Sequence, residues 1–333
     1  MLKIVIILFS TFTIACSTVR VRVAVIRPAE INLHGKNEIV VDEITGPSAD
    51  PIATQIKEAV ASSPYVKLIA PQSDAGTTRL KGHVKTQHVD EKTWNSEDYC
   101  DPSAQRSNKQ RCVFHYREAI AKSELCFDLF DMGTNTRIFN KEIACTQKEK
   151  TQYTQYKNEF FVFAFFELLA DIFRSANGTF NRAPSINHES VLRRCDKDLA
   201  IQVLHTISSW EEMVTVQLQK DSQLPKLKEG IAFVKAGDWG KATQLFLEAQ
   251  KEAENMPSLP KKTMSKVYWD LGMAYLYNAR FDDAHTFINR AYTLTANRTY
   301  KKELSNVERM KQDHTKFIEQ TGESTPGPSH LNF

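Results

Sequence analysis

The 333 residues suffice for two ordinary domains, and a hydrophobic content of 41% can give each a core. Lysine and arginine number 43 against 40 aspartate and glutamate, so the net charge of +3 supplies no field for nucleic acid. No Walker loop, GxGxxG, GxSxG, HExxH or DxDxDG pattern occurs and the nine histidines are scattered, so no catalytic residue, cofactor or metal site is predicted.

The chain begins "MLKIVIILFSTFTIACSTVR", with Lys3 ahead of an apolar run that ends at Cys16. A membrane-spanning helix needs about 20 apolar residues, so this shorter run fits the apolar region of a secretory signal. The stretch Thr13-Ile14-Ala15-Cys16 resembles the lipobox of bacterial lipoproteins. That resemblance implies a signal peptide over 1–15, cleaved before Cys16, and lipidation of Cys16. Ser17 stands where an aspartate would imply inner-membrane retention, so an anchor in the outer membrane, facing the periplasm, is expected.

Strand and helix signals alternate over 19–221. "VRVAVIRP" alternates until Pro28, and "NEIVVDEITG" closes at Gly46. "DPIATQIKEAVASSPY" sets Ile52, Ile56, Ala59 and Val60 on one helical face, with Asp50 as N-cap and Pro51 in the first turn. "YVKLIAP" follows as a strand, and this βαβ order predicts a sheet with a crossover helix. "TTRLKGHVKTQH" reads as a half-buried strand with Leu80, Gly82 and Val84 inward; its His83 and His88 face opposite sides.

Five cysteines follow Cys16. Cys100 and Cys112 bracket the polar "CDPSAQRSNKQRC", and in an exported chain a disulfide there would contribute about 3 kcal/mol by loop entropy. Zinc is disfavoured, since no CxxC occurs and nearby His115 lacks further ligands. "REAIAKSELCFDLF" and "TRIFNKEIACTQK" read as long strands joined at "DMGTNT", where Gly133 and Asn135 can take positive φ. Pairing of Cys126 with Cys145 stays open. Two helices, about 156–175 and 188–208, come next; Cys195 shares a face of the second with Leu192, Leu199, Val203 and Ile207 and reads as a buried thiol. The Phe-rich helix 157–174 is apolar on nearly every face, which suits a buried packing helix or one that touches lipid or a partner. The strand "EEMVTVQLQ" closes the region.

From Leu224 the pattern is helical and repeats. Gly230 aligns with Gly272, Phe233 with Tyr275, Ala242 with Ala284 and Ala249 with Ala291, an offset of 42 residues. Small residues at these places let antiparallel helices approach, and aromatics fill the space between pairs. The spacing resembles tetratricopeptide repeats, which implies two helical hairpins and a capping helix at "KKELSNVERMKQDHTKF". The predicted layout is therefore an α+β or α/β domain with a mixed sheet over 19–221, an all-α tetratricopeptide-like domain over 222–320, and a disordered tail over 321–333.

The segments "VRVAVIRPAEINLHGKNEIVVDEITG", "IATQIKEAVASSPYVKLIAP" and "ELCFDLFDMGTNTRIFNKEIACTQ" resemble the α/β domain of curli-secretion-channel and TolB amino-terminal type lipoproteins. The resemblance implies a fold; two long apolar hairpins like those of the curli channel do not stand out. The expected function is that of a non-enzymatic scaffold or accessory subunit in an envelope assembly for secretion, an appendage, a motor or peptidoglycan synthesis. Its partners would be envelope proteins held by the helical repeats, through Lys228, Lys235, Lys266 and Asn278 on the first helix of each pair. Self-association into a homo-oligomer is left open, and the alternative is a subunit of an outer-membrane secretion pore.

Overall fold

A computed structural model describes residues 18–70, 77–100, 110–156 and 183–322. Cys16, the Phe-rich helix 157–174 and the tail beyond 322 lie outside the described residues. The chain divides into a sheet unit, Leu33–Ser208, and a helical unit in which the residues up to Asn32 join those from Ser209 onward.

In the sheet unit the strands are β2 (Glu38–Thr45), β3 (Lys67–Leu68), β4 (Thr78–Cys100), β5 (Gln110–Asp131) and β6 (Thr136–Tyr156), in spatial order β3-β2-β4-β5-β6. β2 runs parallel to β3 and β4, whereas β4, β5 and β6 form an antiparallel meander, so the sheet is mixed. Helix α1 (Ala49–Ser62) makes the crossover, burying Ile52, Ile56 and Val60 completely. Its N-cap is Ser48 at φ 51; the expected cap, Asp50, sits inside the first turn, where its charge still favours the helix dipole. Helix α2 (His188–Ile207) is capped by Asn187, whose side chain accepts from the Ser190 amide at 3.1 Å. The buried face of β5 presents Ala119, Ala121, Leu125, Phe127 and Leu129, alternating as a one-sided strand must.

β4 is longer than "TTRLKGHVKTQH" suggests, continuing to Cys100 through a polar stretch. There Trp94 faces Tyr116 across the ladder, their rings 5.2 Å apart, and the Lys150 ammonium stands 4.1 Å from the Tyr116 ring centre. Cys100 and Cys112 are bonded, with Cα atoms 5.9 Å apart. Cys195 is corrected from a buried thiol to a disulfide partner. It bonds Cys145 and so ties α2 to β6 across a separation of 50 residues, while Cys126 is free and half-buried. At "DMGTNT" only Asn135 takes positive φ, at 51°, and the Gly133 amide instead donates to Asp131 Oδ1 at 2.9 Å.

The helical unit begins with a strand. β1 (Thr18–Arg27) pairs antiparallel with β7 (Trp210–Gln219), and Val21, Val23, Val216 and Leu218 pack into the helical core. Both strands were expected in the domain 19–221; they belong instead to the helical unit, where Val21, Val23 and Val216 are buried among the helices. Among the described residues five helices complete the unit: α3 (Pro225–Lys235), α4 (Trp239–Glu254), α5 (Lys261–Tyr277), α6 (Phe281–Thr295) and α7 (Arg298–Thr321).

The two hairpins α3–α4 and α5–α6 repeat one design. In the first, the Asp238 amide donates to Phe233 O at 2.9 Å; in the second, the Arg280 amide donates to Tyr275 O at 2.9 Å. Gly237 and Ala279, again 42 residues apart, both take positive φ, at 79° and 57°. A Cβ on Gly230 would lie 2.7 Å from Phe246 Cδ1, and one on Gly272 would lie 2.6 Å from Ile288 Cγ1. Glycine is what lets the paired helices close at both places.

Candidate docking site

Of the eight expected packing residues seven are buried. Gly230, Ala242, Ala249, Gly272, Tyr275, Ala284 and Ala291 are buried, and Phe233 is half-buried beneath the Lys241 ammonium, 4.9 Å from its ring centre. The four expected docking residues divide in two. Lys228 and Lys235 are exposed on α3, two turns apart. Lys266 and Asn278 already make contacts within the helical unit. Lys266 is almost enclosed in an ion pair with Asp221 at 2.7 Å, and Asp221 also accepts from the Thr263 hydroxyl at 3.3 Å. The Asn278 amide donates to Thr243 Oγ1 at 2.9 Å and Trp239 O at 3.2 Å, tying the second hairpin to the first.

A different place in the helical unit has the shape of a binding site. Between β7 and α7 lies a cleft of about 290 Å³. Its floor is Trp269, Met273 and Tyr277 from α5, and its α7 wall carries Lys302, Asn306 and Arg309. The floor is held firmly: Trp269 stacks on Tyr300 at 4.5 Å and donates from Nε1 to Gln217 O at 2.7 Å. Gln219 donates from Nε2 to the Tyr300 hydroxyl at 2.8 Å.

Charge within the cleft is uneven. Arg27 is buried and neutralised, donating to Glu212 Oε2 at 2.7 Å and Asp313 Oδ2 at 2.9 Å. Burial pushes the Glu303 carboxyl above its ordinary range, against the opposing hydrogen bond from Asn306 at 2.6 Å. Burial also raises the Tyr277 hydroxyl. Lys302 and Arg309 flank the half-buried Glu303 on the α7 wall above an apolar floor, so the wall carries two cations that can meet an acidic group beside an apolar one. The sequence signal was weak, since the walls come from segments about 80 residues apart. Among the described residues no three His, Cys, Asp or Glu gather as metal ligands, and no helix is long and apolar enough to cross a membrane.

No protein-family model matches the chain, and no curated protein matches it. Among solved structures the chain is similar to one titled a minor lipoprotein from Acinetobacter baumannii, at 13% identity. The match covers 52% of this chain and 90% of that one with a TM-score of 0.26, too slight a likeness to carry an argument about role.

Proposed function

We propose that the chain is a non-enzymatic, lipid-anchored protein of the bacterial envelope, tethered to the outer membrane through Cys16 and facing the periplasm. Its helical unit, read as two tetratricopeptide-like hairpins with a capping helix, docks a protein partner within an envelope assembly. The observation that carries the reading is the 42-residue repetition of turn and glycine contacts in the two hairpins. Stacked hairpins of this kind expose side chains at fixed spacing, which suits them to hold peptides or helices. The anchor rests on the short apolar run ending in Ala15-Cys16.

The secretion-pore alternative draws on the length of β4, β5 and β6, which have 23, 22 and 21 residues. Against it stands charge on both faces of that meander. Lys92, Glu118 and Lys150 share one face, and Glu91, Arg117 and Glu149 lie on the other. A bilayer-crossing strand needs an apolar band on its lipid face.

Metabolic labelling with a tritiated fatty acid tests the anchor: label on the natural chain and none on Cys16→Ser is expected. Label retained on Cys16→Ser would overturn it. Detergent extraction as a large ring would favour the pore.

A further inference from the structure

β7 has an edge that the described fold leaves open. In the β1–β7 ladder Val216 faces Val21 and Gln217 faces Arg20, and alternate residues of an antiparallel strand turn both backbone groups away from the partner strand. Two hydrogen bonds identify the outward set. The Gln219 amide donates to Asp270 Oδ1 at 2.8 Å, and Gln217 O accepts from Trp269 at 2.7 Å. By the same alternation Met213 and Thr215 turn their N–H and C=O outward, and among the described residues no backbone or side-chain group takes them. An open row of this kind is a template for another strand.

The open row borders the cleft described above. Val214–Gln217 forms one wall, about 10 Å of extended chain, and α7 from Thr299 to Arg309 forms the other over about 15 Å. An incoming strand of about three to four residues would be flanked on both sides. Charge complementarity then selects the strand. Lys302 forms no ion pair among the described residues. Arg309 donates to Asn306 Oδ1 at 2.6 Å and stands 3.9 Å from Asp313, which Arg27 already holds at 2.9 Å, while the half-buried Glu303 between them accepts from Asn306 at 2.6 Å. The apolar floor contains Met273, whose flexible thioether adapts to varied side chains.

We propose that the cleft binds an extended acidic peptide segment of a partner protein, added as a strand to the β7 edge over Met213–Thr215 with its carboxylates against Lys302 and Arg309. Backbone pairing supplies affinity and the alternate side chains supply selection, as in other strand additions. The inference goes beyond the proposed function and does not depend on the lipid anchor or on Lys228 and Lys235.

The test uses the full-length protein in detergent and fluorescein-labelled heptapeptides read by anisotropy. One peptide alternates valine and aspartate, a second replaces aspartate with lysine, and a third is the first with alternate amides N-methylated. The valine–aspartate peptide should bind at least about tenfold more tightly than either of the others. Lys302→Glu with Arg309→Glu should cost a similar factor and leave the melting curve unchanged. Thr215→Pro, which deletes an outward N–H and spares the ladder to β1, should weaken binding too; should it unfold, the N-methylated peptide applies the same test to the natural chain. Equal binding of the aspartate and lysine peptides, indifference to N-methylation, or no binding by any peptide would overturn the proposal. Sedimentation as a dimer that the charge reversals disperse would also overturn it, in favour of a second copy on this edge.

Discussion

Cys145 and Cys195 are bonded with Cα atoms 5.6 Å apart, and through them β6 holds α2 against the buried face of the sheet. The link closes about 50 residues, and a loop of that length corresponds to about 4 kcal/mol of chain entropy removed from the unfolded state. Cys195→Ala paired with Cys145→Ala should therefore lower stability by about 2–4 kcal/mol in denaturant melts under oxidising conditions. Reduction of the natural chain opens the Cys100–Cys112 bond as well and should lower stability further. An unchanged midpoint in the double variant would show that helix packing alone fixes α2.

Gly230 and Gly272 make a paired prediction. At each, an added methyl group meets a buried neighbour, the Phe246 ring or the Ile288 side chain. Gly230→Ala and Gly272→Ala should each destabilise the helical unit by about 1–3 kcal/mol, even though alanine is the better helix former. Circular dichroism melts check this. Comparable losses at the two positions would mark them as equivalent places in one repeat; a gain at either would break the equivalence.

The repeat was legible because its signal is local: small residues at fixed offsets within two 23-residue stretches. The partnership of β1 with β7 was not, because their registers meet across about 190 residues and each strand alone reads as an ordinary alternating segment. The outer half of β4 was hidden for another reason. Residues such as Asp90, Glu91, Asn95 and Ser96 lack strand propensity, and there the structure depends on cross-strand pairs such as Trp94–Tyr116 and Lys92–Glu118, the latter at 2.7 Å. Cys195 illustrates a third limit. Its helical face predicted burial correctly, but burial is common to a thiol and a disulfide, and only the proximity of Cys145 distinguishes them. The internal contacts of Lys266 and Asn278 were hidden because helical position shows which face a side chain occupies, never what already holds it.

Asp196 on α2 should make the stability of the sheet unit depend on pH. Burial raises its carboxyl from an ordinary 3.8 to about 6, although Gln87 donates a hydrogen bond to it at 2.7 Å. The folded state thus binds this proton more tightly than the unfolded state. The contribution is most favourable below about 3.8 and is lost progressively as pH rises through about 6. Asp196→Asn keeps an acceptor for Gln87 and removes the charge. It should raise the melting temperature at pH 7.5 by about 2–4 °C and change it little at pH 4. A gain that is equal at both values would mean the charge is not what costs stability at this position.

Lys266 and Lys228 share the lysine identity and the first-helix location, yet they should respond very unequally to the same substitution. Lys266 is about one-tenth exposed and the carboxylate it pairs with, Asp221, is equally enclosed. Lys266→Glu therefore places two carboxylates together where water reaches them poorly, and breaking a pair of this kind costs about 3 kcal/mol or more. Lys228 projects into solvent from α3, where a single charge reversal changes stability by about 0.5 kcal/mol or less. Thermal melts of Lys266→Glu and of Lys228→Glu with Lys235→Glu should thus separate clearly, the first strongly lowered and the second close to natural. Partner capture can then be judged on the folded double variant alone. Lost capture by that variant would support docking through α3, whereas unchanged capture would remove Lys228 and Lys235 from the site and leave the β7 cleft as the place to look.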